Sequence, residues 1–371
     1  MERLLNQLNK RKSTNSFREL RTPTKGLIDF SSNDYLGLAQ SKELKETIME
    51  RYSSMHSLNG STGSRLITGN SQLTEATESL LADVFQSEST LVFNSGYMAN
   101  LALFSAIPQR GDTILYDELS HACLKDGARL SLARKMPFKH NALDDLSRKL
   151  EQSEGQVYVA VESVYSMDGD AAPLQELVTL TQKHKAHLII DEAHSTGVFG
   201  KNGSGMVNEL GLGEQVFAVV YTFGKGMGIH GAAIATNATA KDYLINFSRP
   251  FIYTTAPSDF ELISIQEAFG QLSSAPWRQL KLQANSQLFN SLLPENASPS
   301  AIKAVVVGGN DKTKLVASEL LQLGLDVRPI LSPTVKEGTE RLRICLHSFN
   351  TEEEIVLLCG QLKRLTKRSD S

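Results

Sequence analysis

The sequence predicts an α/β protein: a large domain built on a mostly parallel sheet, followed by a smaller C-terminal α/β domain. Three observations lead there. Short apolar runs of strand length recur along the chain: TLVF, TILY, VYVAV, HLII, VFAVV and AAIAT. Stretches with helical spacing, such as TEATESLLADVFQ and PLQELVTLTQKHK, lie among them, the pattern of βαβ units in a sheet covered on both faces. Beyond residue 272 the character changes at QLSSAPWRQL, which holds a proline and the only tryptophan, and a second, shorter α/β series begins.

In chain order, residues 1–40 read as a basic amphipathic helix with an exit arm, in which GLIDFSSNDYLGL supplies a short strand and a turn-rich segment. Residues 41–272 form the large domain and residues 273–371 the small one. In the small domain AIKAVVV, LDVRPI and RLRICLH read as strands and DKTKLVASELLQLG as a helix. A last helix opens on a capping box, Thr351 with Glu354 in TEEE.

Composition narrows the function. With 371 residues, 41% hydrophobic and 21% charged, the chain has ordinary globular make-up and length for a large core. A formal net charge of -3 argues against broad nucleic-acid binding. Cys123, Cys345 and Cys359 are scattered, so neither a disulfide framework nor a zinc site is indicated, and no metal is expected. The N-terminus is charged without the apolar core of a signal peptide, and no apolar run is long enough to span a bilayer, so the expectation is a cytoplasmic protein.

In open parallel sheets ligands bind beyond the carboxyl ends of the strands. The residues placed there are chemically dense. TLVF is followed by NSGYMAN, TILY by DELSHACL, VYVAV by ESVYSMDGD, HLII by DEAHSTG, and VFAVVYTF by GKGMG. Gly96 allows a tight turn into an apolar helix whose first N–H groups can hold a phosphate; taken alone it reads as an ordinary glycine-containing helix start. Asp191, taken alone, reads as a carboxylate capping the next turn. DEAH also occurs in helicases, but the phosphate loop that such a site needs, G-x-x-x-x-G-K-[ST], is absent. So are H-E-x-x-H and the G-x-S-x-G elbow of a serine hydrolase. Two imidazoles (His121, His194), an aspartate (Asp191), a lysine among four glycines (Lys225 in YTFGKGMGIHG) and a phosphate site match pyridoxal phosphate. Lysine holds the aldehyde, aspartate keeps the ring nitrogen protonated, and the glycines are expected to leave room for ring and substrate.

The chain also resembles the α-oxoamine synthase family of fold-type I pyridoxal-phosphate enzymes, which are class II aminotransferase-like. The matching segments run in order from about residue 28 to 346: IDFSSNDYLGLA, GSTGSRLITGN, NSGYMANLA, LSHACL, ESVYSMDGDAAPL, IIDEAHSTGVFG, TFGKGMG, FIYTT and PTVKEGTERLRICL. The resemblance implies that Lys225 binds the cofactor covalently and later moves the α-proton, that Asp191 pairs with the pyridinium nitrogen, that His121 stacks on the ring and that His194 meets its phenolic oxygen. Backbone N–H groups of Gly96 and Tyr97 and the hydroxyl of Thr222 would hold the phosphate, with Ser166 beside the cofactor. Thr254 and Thr255 would approach the phosphate from a second subunit, which implies a homodimer. Arg343 would hold the amino-acid carboxylate by a two-pronged contact, with Thr334 nearby, and Arg18 would meet the acyl substrate. The implied reaction is a decarboxylating condensation of an amino acid with an acyl thioester, carried by coenzyme A or a carrier protein. L-Alanine with a pimeloyl thioester, a biotin-pathway pair, is the first expectation. A serine palmitoyltransferase-like or glycine C-acyltransferase pairing is the alternative, and a non-catalytic binding protein on the same fold is the alternative of another class.

Overall fold

The computed structural model describes residues 1–20, 22, 24–56 and 59–368. Arg21, the last of the basic residues in the N-terminal stretch, lies outside them. The chain forms two compact units: one from residues 1–35, 166–170 and 280–371, the other from residues 36–165 and 171–279. In chain order the strands are β1 (Ile28–Asp29), β2 (Ser89–Phe93), β3 (Thr113–Asp117), β4 (Arg134–Phe138), β5 (Val157–Glu162), β6 (His187–Asp191), β7 (Ala218–Thr222), β8 (Ala232–Thr236), β9 (Ile302–Val306), β10 (Leu325–Asp326), β11 (Arg328–Ile330) and β12 (Arg341–Cys345).

The larger unit is organised by a seven-stranded sheet in the order β2-β8-β7-β6-β5-β3-β4. The pairings from β7 across to β4 are parallel. β8 runs antiparallel to both β2 and β7, a reversal that the apolar run AAIAT does not announce. All six residues of β5 are buried, as are the last four of β6, because helices cover both faces of a parallel sheet and leave no wet side. β4, RKMPF, was not among the predicted strands. It lies on the sheet edge, is mostly exposed or half-buried, and carries Pro137, which an edge strand tolerates because one side of it needs no ladder partner. Weak apolar content and a proline hid it.

Helix Gly96–Ala106 follows β2 and is buried along most of its length. It packs closely on helix Ala122–Leu130: a Cβ on Gly127 would lie 2.8 Å from the Phe104 Cβ, so only glycine admits this approach. The parallel arrangement brings the carboxyl ends of β3, β5, β6 and β7 to one edge, where Asp117, Glu162, Asp191 and Thr222 end their strands.

In the smaller unit, β11, β12 and β9 form an antiparallel sheet and β1 pairs in parallel with β10. Helix Asn310–Gln322 and helix Glu352–Arg368 correspond to the two predicted there. The capping box forms as read: the Thr351 N–H donates to Glu354 Oε2 at 3.0 Å, and the Glu354 N–H to Thr351 Oγ1 at 3.2 Å. The N-terminal helix is Glu2–Ser13 and buries none of its residues. Among the described residues no helix is long and apolar enough to cross a membrane.

Candidate active site

The helix start expected to take an anion is built by Ser95 and the helix Gly96–Ala106. Ser95 is extended and its hydroxyl accepts the Met98 N–H at 3.3 Å, capping helix Gly96–Ala106. Gly96 and Tyr97 are the first two helical residues, so their N–H groups have no partner within the helix. A Cβ on Gly96 would fall 2.0 Å from Thr222 Oγ1 at the end of β7. Glycine at 96 thus lets the hydroxyl of Thr222 lie against the helix N-terminus. The Tyr97 side chain turns outward and its hydroxyl donates to Asp126.

Asp191 is buried, and both of its oxygens are held by N–H donors. Oδ2 accepts from Asn100 Nδ2 at 2.6 Å, and Oδ1 from the Ala193 N–H at 2.8 Å. Asn100 also donates to the Gly96 carbonyl at 3.2 Å, while its buried Oδ1 has no hydrogen-bond partner among the described residues. Asn100 was missed from sequence; the signal was a polar residue one helical turn past Gly96 inside an otherwise apolar helix.

His121 caps helix Ala122–Leu130 through its ring: Nδ1 accepts the Cys123 N–H at 3.3 Å and lies 2.9 Å from Cys123 Sγ. Its backbone N–H donates to the carboxyl of Glu162. Burial pushes the imidazole pKa down; the charge of Asp191 pulls it back up and that of Lys225 pushes it down again, so the three groups share one electrostatic neighbourhood. His194 is buried in the turn after β6. Glu162 and Cys123 are further members of this cluster that the motifs contain but did not single out.

The glycines around Lys225 answer a different need from the one expected. A Cβ on Gly226 would lie 2.6 Å from the Thr196 carbonyl oxygen. Gly228 sits at φ +64, where a Cβ would meet the Ala39 nitrogen at 2.2 Å, and Gly231 at φ +115. Only beside Gly224 is there open space, with the first contact at 3.8 Å. Most of these glycines therefore allow the loop to fold against its own chain beside half-buried Lys225, while the space beside Gly224 stays open.

The remaining predicted residues form separate groups. Thr255 lies by the helix start: its carbonyl accepts Asn94 Nδ2 at 3.1 Å, and Thr254 and Thr255 line a small cleft with Arg65, Phe93, Asn94 and Met98. In the smaller unit, Arg343 is buried; Nε donates to the Ser166 carbonyl at 2.6 Å and Nη2 to Asn33 Oδ1 at 2.9 Å. Asn33 Oδ1 also accepts the Tyr35 hydroxyl at 3.1 Å. Arg18 Nη2 donates to Thr334 Oγ1 at 3.2 Å, joining two predicted residues 316 positions apart.

The donor set fits pyridoxal phosphate. The Gly96 cradle against Thr222 offers N–H and O–H groups to a phosphate, the orphaned Asn100 Oδ1 and the buried Asp191 suit a cationic N–H, and Lys225 supplies an amine. A mostly parallel sheet with such groups beyond its carboxyl edge defines a fold-type I pyridoxal-phosphate enzyme. Residues 25–362 match the family model of class I and II aminotransferases. The 8-amino-7-oxononanoate synthase of Lysinibacillus sphaericus is 36% identical over 362 residues, covering 96% of this chain and 92% of that one. A serine palmitoyltransferase solved with pyridoxal phosphate is 27% identical, with a TM-score of 0.89, and the match covers 99% of this chain and 97% of that one. The 8-amino-7-oxononanoate synthase structure from Francisella tularensis is 28% identical, with a TM-score of 0.81 and coverage of 94% and 100%. The chain belongs to the class I and II aminotransferase family and, within it, to the pyridoxal-phosphate-dependent α-oxoamine synthases. It is an enzyme of the acyl-transferring kind, which sets aside the reading as a non-catalytic binding protein.

Proposed function

We propose that the protein condenses L-alanine with a pimeloyl thioester, releasing carbon dioxide and the free thiol to give 8-amino-7-oxononanoate for biotin synthesis. The observation that carries this reading is identity of 36% to a synthase of that name across 96% of the chain, together with a site whose residues fit the cofactor. Pyridoxal phosphate, when bound, supplies an electron sink for the pair left on the α-carbon. The chain's own residues do the rest. Lys225 Nζ would hold the cofactor's aldehyde group and, when free as an amine, would take the α-proton. Asp191, fixed by Asn100 and Ala193, would face the ring nitrogen. Gly96, Tyr97 and Thr222 would anchor the phosphate, His121 would cover the ring, and His194 and Ser166 would flank it. Arg343, oriented by Asn33 and the Ser166 carbonyl, binds the substrate carboxylate. A new carbon–carbon bond would then join the α-carbon to the acyl carbonyl as the thiolate leaves and takes up a proton; the carboxylate would depart as carbon dioxide, and the electron pair it leaves on that carbon would take up a proton to give the aminoketone.

The enzyme acts as a homodimer in this reading, with Thr254 and Thr255 of one subunit serving the site of the other. Arg18, which donates to Thr334 at the surface, would meet the free carboxylate of the pimeloyl chain by charge attraction. An activity matrix of amino acids against acyl thioesters tests the substrate pair. Alanine should exceed glycine and serine, and pimeloyl should exceed acetyl and palmitoyl. Arg18→Ala should raise KM for pimeloyl thioester and spare a neutral chain of similar length. Similarity to serine palmitoyltransferase structures supports the second reading, and the best rate with serine and palmitoyl thioester would replace the first by it.

A further inference from the structure

Two carboxyl groups end neighbouring strands at the heart of this site. Glu162 of β5 and Asp191 of β6 are register partners across the parallel ladder, so their side chains leave the sheet on the same side, and both are buried. Two adjacent carboxyls shielded from water do not both ionise without a large cost; one keeps its proton. Their surroundings decide which. Asp191 has an N–H donor on each oxygen, Asn100 at 2.6 Å and Ala193 at 2.8 Å, the arrangement that favours a carboxylate. Glu162 receives the backbone N–H of His121. Other titratable groups act on this cluster from each packed element: Asp117 on β3, His121, Cys123 and Lys125 around helix Ala122–Leu130, Tyr165 after β5, and Lys225 after β7. Burial first, then the charge of Asp191, pushes the Glu162 carboxyl up to about 8, and Lys225 and the His121 N–H offset only part of that.

We propose that Glu162 is a positioning residue that carries a proton: one oxygen accepts the His121 N–H and so places the ring, and its neutrality leaves Asp191 as the only anion of the pair. A charged Glu162 would compete with Asp191 for the cation that Asp191 serves. The role is independent of which acyl chain or amino acid the enzyme uses, so its failure would leave the substrate reading untouched.

Two measurements on the full-length protein test it. Cofactor affinity is read by titrating pyridoxal phosphate into stripped protein and following visible absorbance. Glu162→Gln, neutral and still an acceptor, should bind within about twofold of wild type, whereas Glu162→Ala should bind about fivefold or more weakly. Equal weakening in the two variants would mean that a charge at 162 is required and would overturn the proposal. Infrared difference spectra then look for the proton itself. Wild type minus Glu162→Gln should show a protonated-carboxyl band at pH 6 that fades at higher pH, and in an Asp191→Asn background the band should fade at lower pH. No band at pH 6, or no shift with Asp191→Asn, refutes it.

Discussion

Lys225 and Asn100 differ in what their loss should do. Lys225 is both the covalent anchor and the proton carrier in the proposed chemistry, while the phosphate cradle and Asp191 are separate from it. Lys225→Ala should therefore cut turnover on the order of 10²-fold or more and keep measurable cofactor binding. Product formation near the wild-type rate would contradict the role. Asn100 touches Asp191 at 2.6 Å without belonging to any reacting group in the proposal. Asn100→Ala strips Asp191 Oδ2 of this donor and leaves the Ala193 N–H on Oδ1, and a hydrogen bond to a charged group is worth about 1.5–3 kcal/mol. Cofactor affinity should fall by about tenfold or more, measured by the same absorbance titration; unchanged affinity would show that Asn100 only fills space.

The loop after β7 carries the lysine, and its glycines make a graded prediction. Gly228 is at φ +64, and a Cβ there would stand 2.2 Å from the Ala39 nitrogen; Gly226 faces the Thr196 carbonyl at 2.6 Å, whereas Gly224 is open. Gly228→Ala and Gly226→Ala should lower stability by about 1–3 kcal/mol, and Gly224→Ala should change it by less than about 0.5 kcal/mol. Thermal or denaturant unfolding of the three variants gives the order. If Gly224→Ala were the most damaging to stability, the loop would not be packed against its own chain in the way described. A loss of cofactor affinity confined to Gly224→Ala would instead mark it as the position that makes room for the ligand.

For the molecule as a whole, Lys303 on β9 gives stability a pH dependence. It is fully buried, its Nζ within 2.8 Å of Ser286 Oγ and the Ser298 carbonyl and 2.7 Å of Asn290 Oδ1, all neutral acceptors. Burial among these neutral groups lowers its pKa to about 7. Between that value and the ordinary lysine range the unfolded chain binds more protons than the folded one, so stability from this group grows as pH rises and is lost as pH falls through the window. Lys303→Met removes this dependence. The stability difference between wild type and variant, from denaturant unfolding at pH 7 and pH 10, should shift in favour of wild type at the higher pH; a difference independent of pH would refute it.

Local pattern determined much of this protein. The apolar runs that became β2, β3, β5, β6, β7 and β8, the capping box at Thr351, and the placing of reactive residues at or just past strand ends were legible because short continuous apolar runs and the polar residues that bound them are written into residue order. The family resemblance supplied the cofactor, which the match to residues 25–362 supports. Tertiary structure decided what depends on neighbours distant in sequence. It reversed β8, recruited the poorly apolar β4 as an edge, and set Glu162 beside Asp191 and Asn100 against it. It also turned the glycines near Lys225 into packing positions. Strand direction, close backbone approach and the placing of a proton between two carboxyls are properties of pairs brought together by folding, and no single stretch of sequence contains both members.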